Sequence, residues 1–239
     1  MIVSCTLVRP EPDRWLPLMV RQTSCFVDLM VFVLDSPAFE GDRNYAVIKD
    51  LGDKARVLWN HVAREDKGYD GHKRNLYLQY LKENYMGSLA VVIDTDEVLD
   101  DRAHALREVE KNFDFKVSHI RMHHYFWNLG FEDSTLNEHW TPTRVFRVAP
   151  DLHYYEVEHP VLRGNFSTCN LLDIPLHHYG GLSGIWSEAD KYRRQVAVSN
   201  IHTPDDLLTW HERHIAGGLP VKRVVWGQHP AIVREAFKQ

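Results

Sequence analysis

The chain has 239 residues, 44% of them apolar and 26% charged, which is the balance of an ordinary globular protein long enough to bury a full core. A formal net charge of −5 argues against general electrostatic binding of nucleic acid. Three widely spaced cysteines exclude a full disulfide framework and a zinc-type motif, so we expect a reducing, cytoplasmic location. No apolar run approaches membrane-spanning length, so we expect any contact with a membrane to be at its surface.

Strands and helices are predicted to alternate through the first half of the chain. Nearly unbroken apolar runs predict buried strands at 2–8, 27–34, 56–60 and 89–93. Apolar residues at helical spacing predict helices at 14–23, 44–51, 73–85 and 103–113. This alternation is typical of an α/β fold with a parallel sheet and right-handed crossovers.

The second half of the chain has a different pattern, richer in predicted strands. Strands are predicted at 115–126, 143–148, 153–157 and 171–179, and an aromatic-rich loop at 127–140 suits a substrate pocket. A capping-box pattern at 187–190 predicts a helix through about 199, and Thr-Pro-Asp-Asp at 203–206 predicts another. We therefore expect a smaller β-rich part followed by helices.

Acidic residues follow two of the predicted parallel strands. Asp35 follows the second strand, and Asp94 and Asp96 follow the strand at 89–93. Ligands of open α/β sheets bind beyond the carboxyl ends of the strands, so we expect these acids at one rim. On an extended segment alternate side chains point the same way, so Asp94 and Asp96 could converge on Mg²⁺ or Mn²⁺. The alternative is an acidic turn that caps the following helix.

Three motifs in order along the chain give a resemblance to a known family. They are Asp94 to Leu99 (Asp-Thr-Asp-Glu-Val-Leu), Arg144 to Arg147 (Arg-Val-Phe-Arg), and His178-Tyr179-Gly180 before a segment rich in Lys and Arg. This ordered set resembles the family-2 glycosyltransferases with the GT-A fold, over roughly residues 1 to 200. The resemblance implies a nucleotide-binding half at 1–114 and a metal and acceptor half at 115–200. With the helix predicted after 203 as a C-terminal helical extension at 201–239, we expect a single catalytic domain at 1–239.

The resemblance also implies roles for individual residues. Asp35 would contact the nucleotide base, Arg74 would lie near the nucleotide, and Asp94 would lie near the ribose or the metal. Asp96 would bind a divalent cation, Mn²⁺ or Mg²⁺, that contacts the diphosphate, with His178 as a further ligand. The implied reaction transfers a sugar from a nucleotide-diphosphate sugar to a carbohydrate, lipid-linked or other hydroxyl acceptor, with inversion.

Inversion needs a base for the acceptor hydroxyl, and several acids past the metal motif are candidates. They are Glu158, Glu132, Asp133 and Glu188. Glu158 is the preferred base because it lies in a strand-to-loop region, whereas Glu188 belongs to a capping box.

Several other residues have simpler interpretations. His177 and His178 are consecutive on a strand, so only one can face the site, and Arg144 and Arg147 should likewise face opposite sides. The pair His123-His124 is interpreted as ordinary strand, surface or helix-face residues, as are His211 and His214. Tyr125, Phe126, Trp127 and Trp140 could stack on a sugar or pack in the core.

Three other functions fit parts of the pattern. An aspartate-nucleophile phosphatase would use Asp94, but three strands precede this motif and a later strand ending in paired acids is missing. A nucleotidyltransferase shares the sheet and the cation, but Val8-Arg9-Pro10-Glu11-Pro12 is not a glycine-rich phosphate loop. A non-catalytic binding module is the third alternative, in which the acids at the rim of the sheet have only a structural role.

Overall fold

The computed structural model describes residues 1–8, 14–35, 43–62, 69–112, 117–125, 129–133, 141–155, 160–166, 169–183 and 221–238. The strands are β1 Ile2–Val8, β2 Leu29–Asp35, β3 Ala55–Asn60, β4 Leu89–Val92, β5 Glu97–Leu99, β6 Val117–His124, β7 Phe131–Asp133, β8 Thr143–Arg147, β9 His153–Tyr154, β10 Leu162–Arg163, β11 Cys169–His178 and β12 Val221–Arg223. The helices are α1 Leu16–Thr23, α2 Arg43–Lys49, α3 Tyr69–Asn84, α4 Leu106–Asn112 and α5 Ala231–Ala236.

Eight strands form one central sheet in the order β3-β2-β1-β4-β8-β6-β11-β5. The pairs β3-β2, β2-β1, β1-β4 and β6-β11 are parallel. Strand β8 is antiparallel to both β4 and β6, and β5 is an antiparallel edge strand on β11. The prediction of an α/β fold with a mostly parallel sheet flanked by helices is confirmed.

The apolar runs of the sequence became strands because both faces of the sheet are covered. Every residue of β1 and of β4 is buried. One face packs against α1, α2 and α4 around Leu16, Met19 and Ile48. The other face packs against α3 through Tyr77 and Leu81. A sheet covered on both faces needs apolar residues at consecutive positions, which is the pattern that identified these strands.

The chain after β4 differs from the prediction. The acids do not lead into a helix, because Glu97–Leu99 forms β5 and pairs with β11. The helical turn begins only after this strand, at Asp101, and the carboxylate of Asp100 caps it by accepting a hydrogen bond from Arg102 N–H at 2.9 Å. The capping explanation of Asp94 and Asp96 is therefore wrong.

The last part of the chain is only partly helical where the structure describes it. Strand β12 pairs with β7, which lies inside the predicted aromatic-rich loop. A 3₁₀ turn at Trp226–Gln228 and helix α5 follow. The helices predicted at 187–199 and from 203 lie outside the described residues, as do Phe126, Trp127, Trp140, His211 and His214. In the described ranges, no helix has the length and apolar character to cross a membrane.

Candidate functional site

The acids predicted to share a rim do lie at the same edge of the sheet. Asp35 is the last residue of β2, and Asp94 comes two residues after β4 ends at Val92. Both strands run parallel to β1, which lies between them, so their carboxyl ends meet at one edge. This edge is the usual position of a ligand in an open α/β sheet.

A tight turn carries the Asp-x-Asp motif. The amide of Glu97 donates to the carbonyl of Asp94 at 3.0 Å, and the Oε2 of Glu97 accepts from the amide of Asp94 at 2.7 Å. The side chain of Glu97 is only 1% exposed, and its Oε1 accepts from Nη2 of Arg144. Burial raises the pKa of Glu97 to about 8, although Arg144 pulls it down. Because the acids lie in this turn rather than on an extended strand, the alternation argument does not apply to them.

Asp94 lies between two arginines. Its Oδ1 accepts from Nη2 of Arg74 at 3.2 Å, and its Oδ2 accepts from Nη2 of Arg144 at 2.8 Å. Burial would raise the pKa of Asp94, but Arg144 and Arg74 hold it well below the usual range of an aspartate. Both oxygens are therefore engaged by protein cations, which suits a role in organising the site better than coordination of a metal.

Asp96 lies beside the His-Tyr-Gly motif. Its carbonyl accepts from the amide of Tyr179 at 2.8 Å, and its Oδ2 is 3.6 Å from Nε2 of His178. Both side chains are about one-quarter exposed. A Cβ added to Gly180 would lie 2.5 Å from Oδ2 of Asp96 and 2.9 Å from Nε2 of His178. The glycine of the motif thus leaves space beside the two groups that could bind a cation.

The consecutive histidines of β11 point to opposite faces, as the strand alternation predicts. His178 turns toward Asp96, whereas His177 is 2% exposed and is held on the other side. Nε2–H of His177 donates to Asp100 at 3.1 Å, and its Nδ1 accepts from the hydroxyl of Tyr125 at 2.7 Å. The two arginines of the Arg-Val-Phe-Arg motif also point in different directions. Arg147 binds the carbonyls of Gly87 and Glu110 instead of the acids that Arg144 binds.

Asp35 has protein partners on both oxygens. Its Oδ1 accepts from Asn60 at 2.9 Å and pairs with Nζ of Lys73 at 3.1 Å, and its Oδ2 accepts from the hydroxyl of Tyr69. Lys73 is fully buried. Two consecutive residues of α3 therefore bind the two acids. Lys73 pairs with Asp35 at the end of β2, and Arg74 pairs with Asp94 after β4.

The pair Asp96 and His178 fits part of a cation site. Two ligands about 2.1 Å from a cation are about 3.0 Å apart at a right angle, slightly closer than the observed separation. The described residues contain no group of three or more His, Cys, Asp or Glu side chains able to hold a metal. A cation here would complete its shell with water and substrate oxygens, which is common for Mg²⁺.

Most of the candidate bases lie outside the described side chains. This is true of Glu158, Glu188 and the side chain of Asp133. Glu132 is 7% exposed and pairs with His123 at 3.0 Å and with Lys222 at 3.4 Å. Burial would raise its pKa, but the hydrogen bond and charge of His123 keep the pKa below the usual value. A buried carboxylate with two basic partners is a poor candidate for a general base.

The sequence interpretation missed a repeat that brings His124 to the site. The tripeptide His-His-Tyr occurs at 123–125 and again at 177–179. His123 and His124 pair in parallel register with His177 and His178, so each residue of one copy lies beside its equivalent. The ring centroids of His124 and His178 are 4.9 Å apart, and their Nδ1 atoms are 3.1 Å apart. The repeated tripeptide was the available signal.

The same repeat anchors the end of the chain. Tyr179 stacks between Trp15 and Tyr125, with centroids 4.2 Å and 4.8 Å away. Its hydroxyl donates to Nδ1 of His229 at 3.1 Å, and Nε2–H of His229 donates to the carbonyl of Leu129 at 2.7 Å. Residues 221–238 thus pack directly behind the His-Tyr-Gly motif, and Tyr125 is a core residue rather than a surface for stacking a sugar.

Comparison with known proteins yields only distant structural similarities. The sequence matches no protein-family model and no curated protein. A glucose-1-phosphate thymidylyltransferase of Bacillus anthracis, itself described as provisional, aligns over 92% of this chain and 85% of its own, with 11% identity and a TM-score of 0.38. The 4-diphosphocytidyl-2C-methyl-D-erythritol synthase of Anaerococcus prevotii aligns over 87% and 95%, with 8% identity and a TM-score of 0.40. The inositol-1-phosphate CTP transferase of T. maritima aligns over 98% and 93%, with 10% identity and a TM-score of 0.35. Similarity at this level assigns neither a family nor an activity.

Proposed function

We propose that this protein is a metal-dependent glycosyltransferase that moves a sugar from a nucleotide-diphosphate sugar to a hydroxyl acceptor, with inversion. The observation that carries the proposal is the meeting of Asp96 and His178 beside Gly180. These residues are far apart in sequence, and they come together at the rim where an open α/β sheet binds ligands.

The residues around this pair have distinct proposed tasks. Asp96 and His178 hold a divalent cation, Mn²⁺ or Mg²⁺, and when bound this ion supplies positive charge for the departing diphosphate. Asp94 is tied to Arg74 and Arg144, so it fixes the turn that presents Asp96. Asp35, with Lys73 and Tyr69, forms the wall on which the nucleotide base would lie.

The acceptor side of the reaction is proposed from the sequence alone. Glu158 remains the proposed base that takes the proton of the acceptor hydroxyl. The paired state of Glu132 favours Glu158 over that alternative. The acceptor is proposed to be a carbohydrate, a lipid-linked sugar or another hydroxyl compound.

The second candidate is a nucleotidyltransferase, which would use the same rim and the same cation. Transferases of this kind are named among the similar solved structures, which is a reason to test the reaction. A phosphatase acting through Asp94 is less favoured, because both oxygens of that carboxylate are hydrogen-bonded to arginines, which lower its reactivity as a nucleophile.

Product analysis distinguishes these reactions. The protein is incubated with Mn²⁺ and a panel of nucleotide-diphosphate sugars, and separately with nucleoside triphosphates and sugar 1-phosphates. Release of a nucleoside diphosphate from a sugar nucleotide, with water taking the sugar in place of the acceptor hydroxyl, supports the glycosyltransferase. Release of pyrophosphate from the second mixture supports the nucleotidyltransferase and overturns the main proposal. Asp96→Ala, which keeps the backbone contact to Tyr179, is the matched inactive control.

A further inference from the structure

The contact between His124 and His178 limits how protons are placed on the two rings. Their Nδ1 atoms are 3.1 Å apart, which is hydrogen-bonding distance. Two ring nitrogens can share a hydrogen bond only if one carries the proton and the other offers a lone pair. One histidine is therefore the Nδ1–H donor and the other the acceptor.

The two possible arrangements have different consequences at Asp96. If His124 donates, the proton of a neutral His178 lies on Nε2, which faces Oδ2 of Asp96 at 3.6 Å. If His178 donates, its Nε2 carries a lone pair toward the same place. Only the second arrangement allows Nε2 to bind a cation, because a metal-bound nitrogen must be unprotonated.

We propose that His124 is a positioning residue that accepts Nδ1–H of His178 and thereby presents the Nε2 lone pair of His178 to a divalent cation beside Asp96. Histidines that bind metals commonly donate their other ring N–H to a fixed acceptor. This inference rests on the cation site of the proposed function and adds a residue that the sequence motifs do not include.

The fold holds His124 in place for this task. It is the last residue of β6 and the register partner of His178 on the parallel strand β11. The amide of the next residue, Tyr125, donates to the carbonyl of His178 at 3.0 Å, which fixes the strand ends together. His123 points to the opposite face, where it pairs with Glu132, so it provides a control on the same strand.

The test measures Mn²⁺ affinity by electron paramagnetic resonance of the free ion, with no nucleotide present. Asparagine places its Oδ1 near the position of a histidine Nδ1, whereas glutamine places its oxygen farther out. We expect His124→Phe and His124→Gln to weaken Mn²⁺ binding by about 10- to 100-fold, and His124→Asn to retain affinity within about threefold. The control His123→Phe should also stay within about threefold. Because Asn and Gln are both polar, their comparison remains informative even if His124→Phe does not fold.

A second readout reports the proton position directly. Long-range ¹H–¹⁵N spectra of the Mg²⁺-loaded wild type should show the His178 proton on Nδ1. A proton on Nε2 of His178, or equal affinity in His124→Gln and His124→Asn, would overturn the positioning role. If Asp96→Ala lowers Mn²⁺ affinity while His124→Gln does not, only this inference fails. If Asp96→Ala leaves the affinity unchanged, the cation site of the proposed function fails as well.

Discussion

Gly180 lies so close to Asp96 that a Cβ on the glycine would be 2.5 Å from the carboxylate Oδ2. A separation this short forces one group to move. The groups that would move are the ends of the Asp96 and His178 side chains, which are partly exposed and can rotate away. The need for glycine here therefore arises from the site and not from the fold.

We expect Gly180→Ala to lower Mn²⁺ affinity by at least 10-fold while changing the free energy of unfolding by no more than about 1 kcal/mol. The displaced side chains lose their mutual geometry, but no core residue loses contacts. Gly227→Ala is the control, because a Cβ there meets nothing within 4 Å. Unchanged metal binding in Gly180→Ala would contradict the assignment of this space to a cation.

The two arginines of the Arg-x-Phe-Arg motif should respond differently to the same substitution. Arg144→Met removes one of the two arginines that pair with the ionised Asp94 and leaves Oε1 of the buried Glu97 without its donor, so we expect a loss of about 3 kcal/mol in unfolding free energy. Arg147→Met removes hydrogen bonds to two backbone carbonyls and should cost about 1 kcal/mol. Urea denaturation measures both, and equal losses would refute the proposed asymmetry of the motif.

Asp28 should make stability depend on pH. Its carboxylate accepts two hydrogen bonds from Arg107, at 2.7 Å and 2.9 Å, and one from the amide of Ile2. The bond from Arg107 lowers the pKa of Asp28 from 3.8 to about 2. A lowered pKa stabilises the folded state above the unfolded value of 3.8, and this contribution is lost as pH falls through about 2.

Asp28→Asn should therefore cost about 1 kcal/mol at pH 7, a value reduced for solvent screening because the side chain is 36% exposed. The difference from wild type should shrink steadily below about pH 4. Asp173→Asn is the control, since that side chain is 87% exposed and its ion pair with Arg102 is long. A difference that stays constant down to pH 2 would disprove the linkage.

The hydroxyl of Tyr179 should be coupled energetically to His229. Tyr179→Phe and His229→Phe each remove one partner of the hydrogen bond and keep an aromatic ring in the stack. A double-mutant cycle should give a coupling free energy of about 1 kcal/mol. The cycle of Tyr125→Phe with His229→Phe should give a much smaller value, because the hydroxyl of Tyr125 bonds to His177. No coupling in the first cycle would mean that residues 221–238 do not support the motif as described.

Parts of the site that depend on local pattern could be predicted from the sequence. The buried strand before Asp94, the common rim of Asp35 and Asp94, and the opposite facing of His177 and His178 follow from burial and alternation. Burial and alternation can be deduced from one segment of the sequence, without knowing which distant segment packs against it.

The remaining features depend on contacts between distant segments. The salt bridges from Lys73 and Arg74 to the two acids require the packing of α3 on the sheet. The role of His124 depends on the register of β6 against β11, and one residue of slip would turn it to the other face. Strand β5 was not predicted, because it is defined by its pairing with β11, a segment about 80 residues later in the chain.

Thermal unfolding tests most directly whether Asp96 holds a divalent cation for a nucleotide diphosphate. Wild type and Asp96→Ala are compared with a panel of nucleoside diphosphates, each with and without Mn²⁺. A ligand that binds only the folded state raises the melting temperature, and at a fixed concentration a tighter ligand gives a larger shift. We predict that one nucleoside diphosphate stabilises the wild type only when Mn²⁺ is present, and that Asp96→Ala abolishes this shift. A shift that persists without Mn²⁺ or in Asp96→Ala, or no shift with any nucleotide, would contradict the account.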